Sequence, residues 1–133
     1  MNVVGVEAIE PLVKRVGEAG LPVTLRVVGR PRALPAGLNL AIYRVVQEAL
    51  TNALKYAGLA PTEVILEHRE ADLKLEILDE GDGCAGGGNG RHGRGLLGMQ
   101  ERVALYGGTL EAGPRIGRGY AVRVWLPLDG REL

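Results

Sequence analysis

The sequence predicts an α+β fold in which helices cover one face of a mixed, mostly antiparallel sheet. Three observations carry this. Short strand-like segments come in pairs, residues 62–70 with 73–79 and 109–112 with 120–126, and all but 109–112 are read from alternation with period 2. Longer segments before and between them carry apolar residues at helical spacing. A length of 133 residues suits one domain and leaves no room for two ordinary ones.

Taken in order, the first helix is expected over Val6–Glu18 and is closed by Gly20. Val23–Val28 reads as a strand ended by Gly29 and Pro31. Pro35 precedes a long helix from Ala36 to Ala57, stopped by Gly58 and Pro61, with Leu38, Ile42, Val45, Ala49, Ala53 and Tyr56 as its apolar stripe. Thr62–Glu70 and Leu73–Asp79 are joined by the short turn Ala71-Asp72, which suits an antiparallel hairpin. A further helix carries Leu96, Met99, Val103 and Tyr106 and ends at Gly107-Gly108. Thr109–Ala112 and Tyr120–Leu126 are the last strands, with Pro127 as the stop. The chain 1–133 is expected to be a single domain with an ordered core over about 21–128.

Composition removes several function classes. Hydrophobic residues make up 46% and charged residues 24%, a globular balance. Lys+Arg and Asp+Glu both number 16, so no bulk charge is present to grip nucleic acid or an anionic membrane. No apolar run approaches the ~18 residues of a membrane span. The first residues lack the charge of a signal peptide, and Glu7 and Glu10 interrupt the stretch. One cysteine excludes an intrachain disulfide and a cysteine zinc site; Cys84 reads as a reduced thiol in a cytosolic protein. Two histidines make a multi-histidine metal site a poor fit. Phenylalanine is absent, so Leu, Val, Ile and Ala must build the core.

Glycine is the unusual residue: 21 in 133, against an ordinary share of ~7%. The glycines have no period, which excludes collagen and repeat architectures. They cluster at 81–98 and again at 113–119. Such a run can be a flexible linker. Tight flanking elements and the charges inside it favour a functional loop.

Three features break the logic of a plain core. On the long helix, Glu48, Asn52 and Lys55 share a narrow wedge beside the apolar stripe, away from the outward Gln47 and Thr51. Asn52 lies close to Val45 on the wheel, so a half-buried amide is expected, and a buried polar group needs partners. A surface pairing of Glu48 with Lys55 or Asn52, worth a few tenths of a kcal/mol, is the plainer alternative. The second break is Asp79, in phase with Leu73, Leu75 and Ile77 on the inward face and directly before Gly81 and Gly83. A carboxylate there could accept from the exocyclic amine of adenine, with glycines letting a flat base approach. It could equally cap a local turn. Third, Gly93-Arg94-Gly95-Leu96-Leu97-Gly98 runs into a helix, where bare backbone N–H groups form an anion site. No Gly-Lys-Ser/Thr follows, so it is not a P-loop.

Together these segments resemble a known family. Glu48-Ala-Leu-Thr-Asn52-Ala-Leu-Lys55-Tyr56-Ala resembles the N box of histidine-kinase ATP-binding domains. Asp79-Glu-Gly81-Asp-Gly83 is similar to their first glycine box, and Gly93-Arg-Gly95-Leu-Leu-Gly98-Met-Gln-Glu101-Arg102-Val to the second. Gly117-Arg-Gly119-Tyr120 resembles a last glycine box before the closing strand. The wording Tyr-Arg-Val-Val-Gln-Glu-Ala-Leu-Thr-Asn-Ala and Gly-Met-Gln-Glu-Arg-Val is similar to the nitrate/nitrite-sensor-like subfamily. The resemblance covers about Leu21 to Leu128.

The resemblance implies the GHKL (Bergerat-type) fold, a two-layer α/β sandwich with ATP between the helices and a mobile lid. It implies an ATP- and Mg²⁺-dependent protein-histidine kinase domain. By position, Asn52 would coordinate Mg²⁺, Glu48 would orient or activate the acceptor, and Lys55 would contact phosphate. Tyr56 would pack near the base and Asp79 would read adenine over Gly81 and Gly83. Gly93, Arg94, Gly95, Leu96 and Gly98 would form the lid hinge and phosphate cradle. The implied partners are a phosphoacceptor histidine domain, in cis or in trans, and then a response regulator.

Three departures qualify the match. Position 56 is Tyr where the subfamily usually has His. The lid, Cys84 to His92, is short and has no Phe-rich box. No histidine precedes His68, so the phosphoacceptor and dimerisation domain is expected to be absent from this chain, leaving a monomeric, cytoplasmic catalytic domain or the cytoplasmic part of a membrane-anchored sensor. Two other functions suit the same residues: a free-standing serine kinase of the anti-sigma type, and a nucleotide-binding module without transfer activity.

Overall fold

The computed structural model describes residues 6–56, 58–81 and 97–128. A 3₁₀ turn, Val6–Ala8, leads into α1, Ile9–Glu18. Pro11 falls in the first turn of α1, where its missing N–H costs nothing. Ile9 and Leu12 turn inward and are buried, so the core reaches back beyond Leu21. The Asn39 side-chain oxygen accepts from the Val6 amide at 2.8 Å and ties the start of the chain to the long helix α2, Ala36–Tyr56.

The strands are β1 (Val23–Val28), β2 (Thr62–His68), β3 (Asp72–Asp79), β4 (Thr109–Pro114) and β5 (Tyr120–Pro127). They form one sheet in the order β1-β2-β3-β5-β4. β1 runs parallel to β2, with Val23 opposite Thr62, and every other neighbour is antiparallel. This is the mixed, mostly antiparallel sheet that the sequence predicts. β2 stops at His68 rather than Glu70, because the Arg69 amide turns back to the Asp72 carbonyl at 2.9 Å. Residues 97–104 form a third helix, α3, ahead of Gly107-Gly108.

Alternation sorts the two faces. Val64, Leu66, Leu73, Leu75, Ile77, Val122, Val124 and Leu126 are buried and meet Leu38, Ile42, Val45, Val46, Ala49, Leu50 and Ala53 of α2 in one core. The opposite face carries cross-strand ion pairs, Arg26 with Glu63 at 3.3 Å and Arg123 with Glu76 at 2.9 Å. These are solvated contacts and contribute little stability. Their role is to keep the uncovered face polar.

Candidate functional site

The site begins where strand alternation carries a carboxylate inward. Asp79 continues the row Leu73, Leu75, Ile77 and is only 4% exposed. Register sets it between Thr62 of β2 and Tyr120 of β5, both buried. Asp79 Oδ1 accepts from the Gly81 amide at 3.0 Å. The local turn that the sequence allowed is therefore formed. One such bond does not exhaust a carboxylate, which offers about four lone-pair positions; Asp79 has further interactions with its surroundings.

The peptide that follows Asp79 is held from both sides. Its N–H, on Glu80, donates to the Pro61 carbonyl at 3.0 Å. Its C=O, on Asp79, accepts from Arg115 Nη1 at 2.8 Å. Arg115 stands in the β4–β5 turn, which closes with an Arg115 N–H to Gly119 carbonyl bond of 2.9 Å. Gly119 has φ +97°, and a Cβ on it would lie 2.1 Å from the Asp79 carbonyl oxygen. Only glycine lets the turn come this close.

The second part of the site comes from α2. Asn52 is 8% exposed, Glu48 is half-buried and Lys55 is exposed, so the wedge grades from core to solvent in the order of increasing desolvation cost. Asn52, expected half-buried, is more deeply set than that, and it is engaged with its neighbours. Thr51 points outward as expected, its hydroxyl donating to the Gln47 carbonyl at 2.8 Å. Gln47 itself is half-buried, not outward. Of Tyr56 only the backbone is described, at the end of α2. Gly98 falls in α3 with nothing among the described residues within 4 Å of an added Cβ, so these make no steric demand for glycine there. Gly83, Gly93, Arg94, Gly95 and Leu96 lie outside the described residues, as do Cys84 and His92. Among the described residues no group of three or more His, Cys, Asp or Glu could hold a metal ion, and no helix is long and apolar enough to cross a membrane.

His68 sits in β2 at the far end of the sheet from Asp79, paired with Leu73. It is 6% exposed, and neither ring nitrogen has a hydrogen-bond partner among the described residues. Burial, and then the Arg32 guanidinium, hold its pKa below the ordinary value of 6.5. Arg32 in turn donates to the carbonyls of Arg69 and Glu70 over the same strand end. The neutral ring is thus favoured in the fold. The unfolded chain takes up a proton near the ordinary value, so stability is full above about pH 6.5 and falls as pH drops toward the lowered folded pKa. Denaturant midpoints at about pH 7.5 and about pH 5 should show this loss, and His68→Leu should reduce it. An unchanged pH slope in the variant would remove His68 as the cause.

The comparisons with known proteins bear on the family and the fold. The model of the histidine kinase-, DNA gyrase B-, and HSP90-like ATPases matches residues 37–130, and the chain belongs to that family. More narrowly, its sequence relatives are sensor histidine kinases. It is 41% identical over 92 residues to the oxygen sensor histidine kinase NreB of Staphylococcus carnosus, covering 68% of this chain and 26% of that protein. It is 32% identical over 129 residues to the sensor histidine kinase YxjM of Bacillus subtilis, covering 96% of this chain and 31% of that protein. The chain thus spans less than a third of either relative. The fold matches the histidine kinase domain of the Erythrobacter litoralis EL346 blue-light activated kinase, with a TM-score of 0.75 at 19% identity over 92% of this chain and 60% of that one. It also matches the mycobacterial sensor histidine kinase MprB, with a TM-score of 0.67 at 19% identity over 91% of this chain and 93% of that one. The α+β sandwich and the ATPase family that the motifs implied are those of this chain.

The sequence pointed to Asp79, Asn52 and the last glycine box. It gave no sign of Arg115 or of the Pro61 carbonyl, because both act from turns where no periodicity tells which way a group points.

Proposed function

We propose that this domain binds Mg-ATP and passes the γ-phosphoryl group to a histidine on a phosphoacceptor and dimerisation domain, in cis or in trans, from which a response regulator is served. The observation that carries the reading is the burial of two polar side chains, Asn52 in the helix layer and Asp79 at the end of the sheet layer, beside an apolar core. Asp79 accepts from the adenine amine. Gly81 and Gly83 lie under the base, and Tyr56 packs near it. Gly93, Arg94, Gly95, Leu96 and Gly98 cradle the phosphates, and Lys55 supplies a cation to them.

Magnesium fits this donor set. Mg²⁺ keeps several waters and binds one or two protein oxygens plus substrate phosphates, so a single amide oxygen from Asn52 suffices where the described residues hold no carboxylate cluster. The bound ion would neutralise charge on the phosphates. Glu48 then orients the incoming imidazole and receives its proton. Positioning and charge neutralisation do most of the work in such a transfer. The isolated domain is proposed to be a monomer that acts in the cytoplasm, without contact to nucleic acid or membrane.

The test uses radiolabelled ATP. The chain alone should gain essentially no acid-labile, base-stable label, since β2 fixes His68 at the end of the sheet away from Asp79. Adding the histidine-bearing domain of its own sensor should label that partner, inefficiently, because no tether raises the local concentration. Glu48→Gln should keep ATP binding and cut transfer by roughly 10²–10⁴-fold. Asn52→Ala should lose the Mg²⁺-dependent part of the ATP affinity. Label on a serine of an added anti-sigma antagonist would replace this reading with that of a serine kinase, and strong self-labelling of the chain would refute it.

A further inference from the structure

We infer that Arg115 is a positioning residue for adenine recognition, acting through the backbone of Asp79. The inference rests on the proposed role of Asp79. Selectivity for an amine over a carbonyl oxygen at the same place on a purine requires the carboxylate to be fixed in direction as well as present. Oδ1 is fixed by the Gly81 amide at 3.0 Å, and that bond depends on the path of the chain from 79 to 81. The path is set by the peptide between Asp79 and Glu80. The Pro61 carbonyl holds its N–H from the β2 side at 3.0 Å. Arg115 Nη1 holds its C=O from the β5 side at 2.8 Å. Asp79 is also register-paired with Tyr120 of β5, so without the guanidinium the strand stays in the sheet while the carbonyl at its end loses its charged donor.

The surrounding turn is built to deliver this donor. Gly119 allows the turn to close on the Asp79 carbonyl, and its own carbonyl takes the Arg115 amide. The Arg115 side chain is packed beside Gly119, with Cδ only 3.2 Å from where a Cβ on Gly119 would stand. Arg115 is partly buried, unlike its neighbours Ile116 and Arg118 in the same turn, which are exposed. A guanidinium spent on a main-chain carbonyl, in place of a carboxylate or water, marks this residue as part of the strand-end structure. A charged donor also makes a stronger bond than a neutral one.

The experiment measures ATP and inosine triphosphate binding to the full chain by calorimetry. Inosine triphosphate carries a 6-oxo group in place of the amine and an N1–H in place of the N1 acceptor, while the sugar and triphosphate contacts are shared. Arg115→Ala should lower ATP affinity by about tenfold and leave inosine triphosphate affinity nearly unchanged, so that the ratio of the two falls. Arg115→Lys, which keeps one cationic donor, should restore part of the ratio. Equal weakening of both nucleotides, or no change in either, would overturn the assignment, the first as a general structural effect and the second as no effect. Asp79→Ala is measured alongside. If it leaves the ratio unchanged, the adenine role of Asp79 itself fails; if it collapses the ratio while Arg115→Ala does not, only the positioning role fails. Thermal melts of each variant confirm that the binding is read on folded protein.

Discussion

Replacing Asp79 with alanine should lower ATP affinity by roughly 5- to 150-fold, the result of about 1–3 kcal/mol lost with a buried acceptor. Part of that loss would reflect the Gly81 amide, which loses its own partner. Asp79→Asn separates the two contributions. The amide oxygen can still accept from Gly81, while the NH₂ group now faces the base with donors. ATP should weaken, and GTP, whose 6-oxo group is poorly served by a carboxylate, should improve relative to it. Calorimetry with both nucleotides on the native protein, the alanine variant and the asparagine variant reads this directly. Equal ATP and GTP affinity in the native protein would end the adenine assignment.

The second large effect concerns two glycines with opposite reasons to exist. Gly119→Ala would force an L side chain to φ +97° and drive its Cβ to 2.1 Å from the Asp79 carbonyl oxygen. Backbone strain of about 1–3 kcal/mol and overpacking of similar size add to roughly 2–6 kcal/mol. The melting temperature should fall by on the order of 10 °C or more. Trp125, the sole tryptophan and partly exposed on β5, reports the unfolding by fluorescence. Gly98→Ala meets nothing among the described residues within 4 Å and lies in a helix, so it should hold or raise stability by about 0.5–1 kcal/mol. A phosphate cradle would nonetheless lose ATP affinity in that variant. If both variants melt alike, the steric argument at Gly119 is wrong.

Much of this was legible in the residues, and the reasons are specific. Asp79 announced itself because a strand has a strict period of 2, so one carboxylate in phase with Leu73, Leu75 and Ile77 has a single place to go. Asn52 was found the same way on the helical wheel, although its depth was underestimated, since α2 buries a wider stripe, including Ala41, Val46 and Leu50, than the one first traced. The motif wording around these residues gave the family. The direction of β1 was not legible: alternation is the same in a parallel and an antiparallel strand, and only the register of Val23 with Thr62 decides it. Nor was Arg115, which makes its bond to a residue 36 positions earlier from inside a turn. Side chains in turns follow no period, so sequence carries their identity without their aim. The glycines from Gly83 to Gly95, rich in motif signal, fall outside the described residues.

The β3–β5 seam also bears on when the site comes into being. The hairpins β2–β3 and β4–β5 join neighbours in the chain, and such local pairings close quickly. Asp79 meets Tyr120 and Arg115 only when the two hairpins dock, after the whole of α3 and the segment before it have been enclosed. Closing so long a stretch costs more chain entropy and belongs to the later stages of folding. A nascent chain that has formed its first hairpin already carries the carboxylate, yet its strand end has no guanidinium or close-packed glycine to hold it. On the proposed reading, adenine recognition is in this sense a property of the finished molecule, acquired only once the two hairpins have docked.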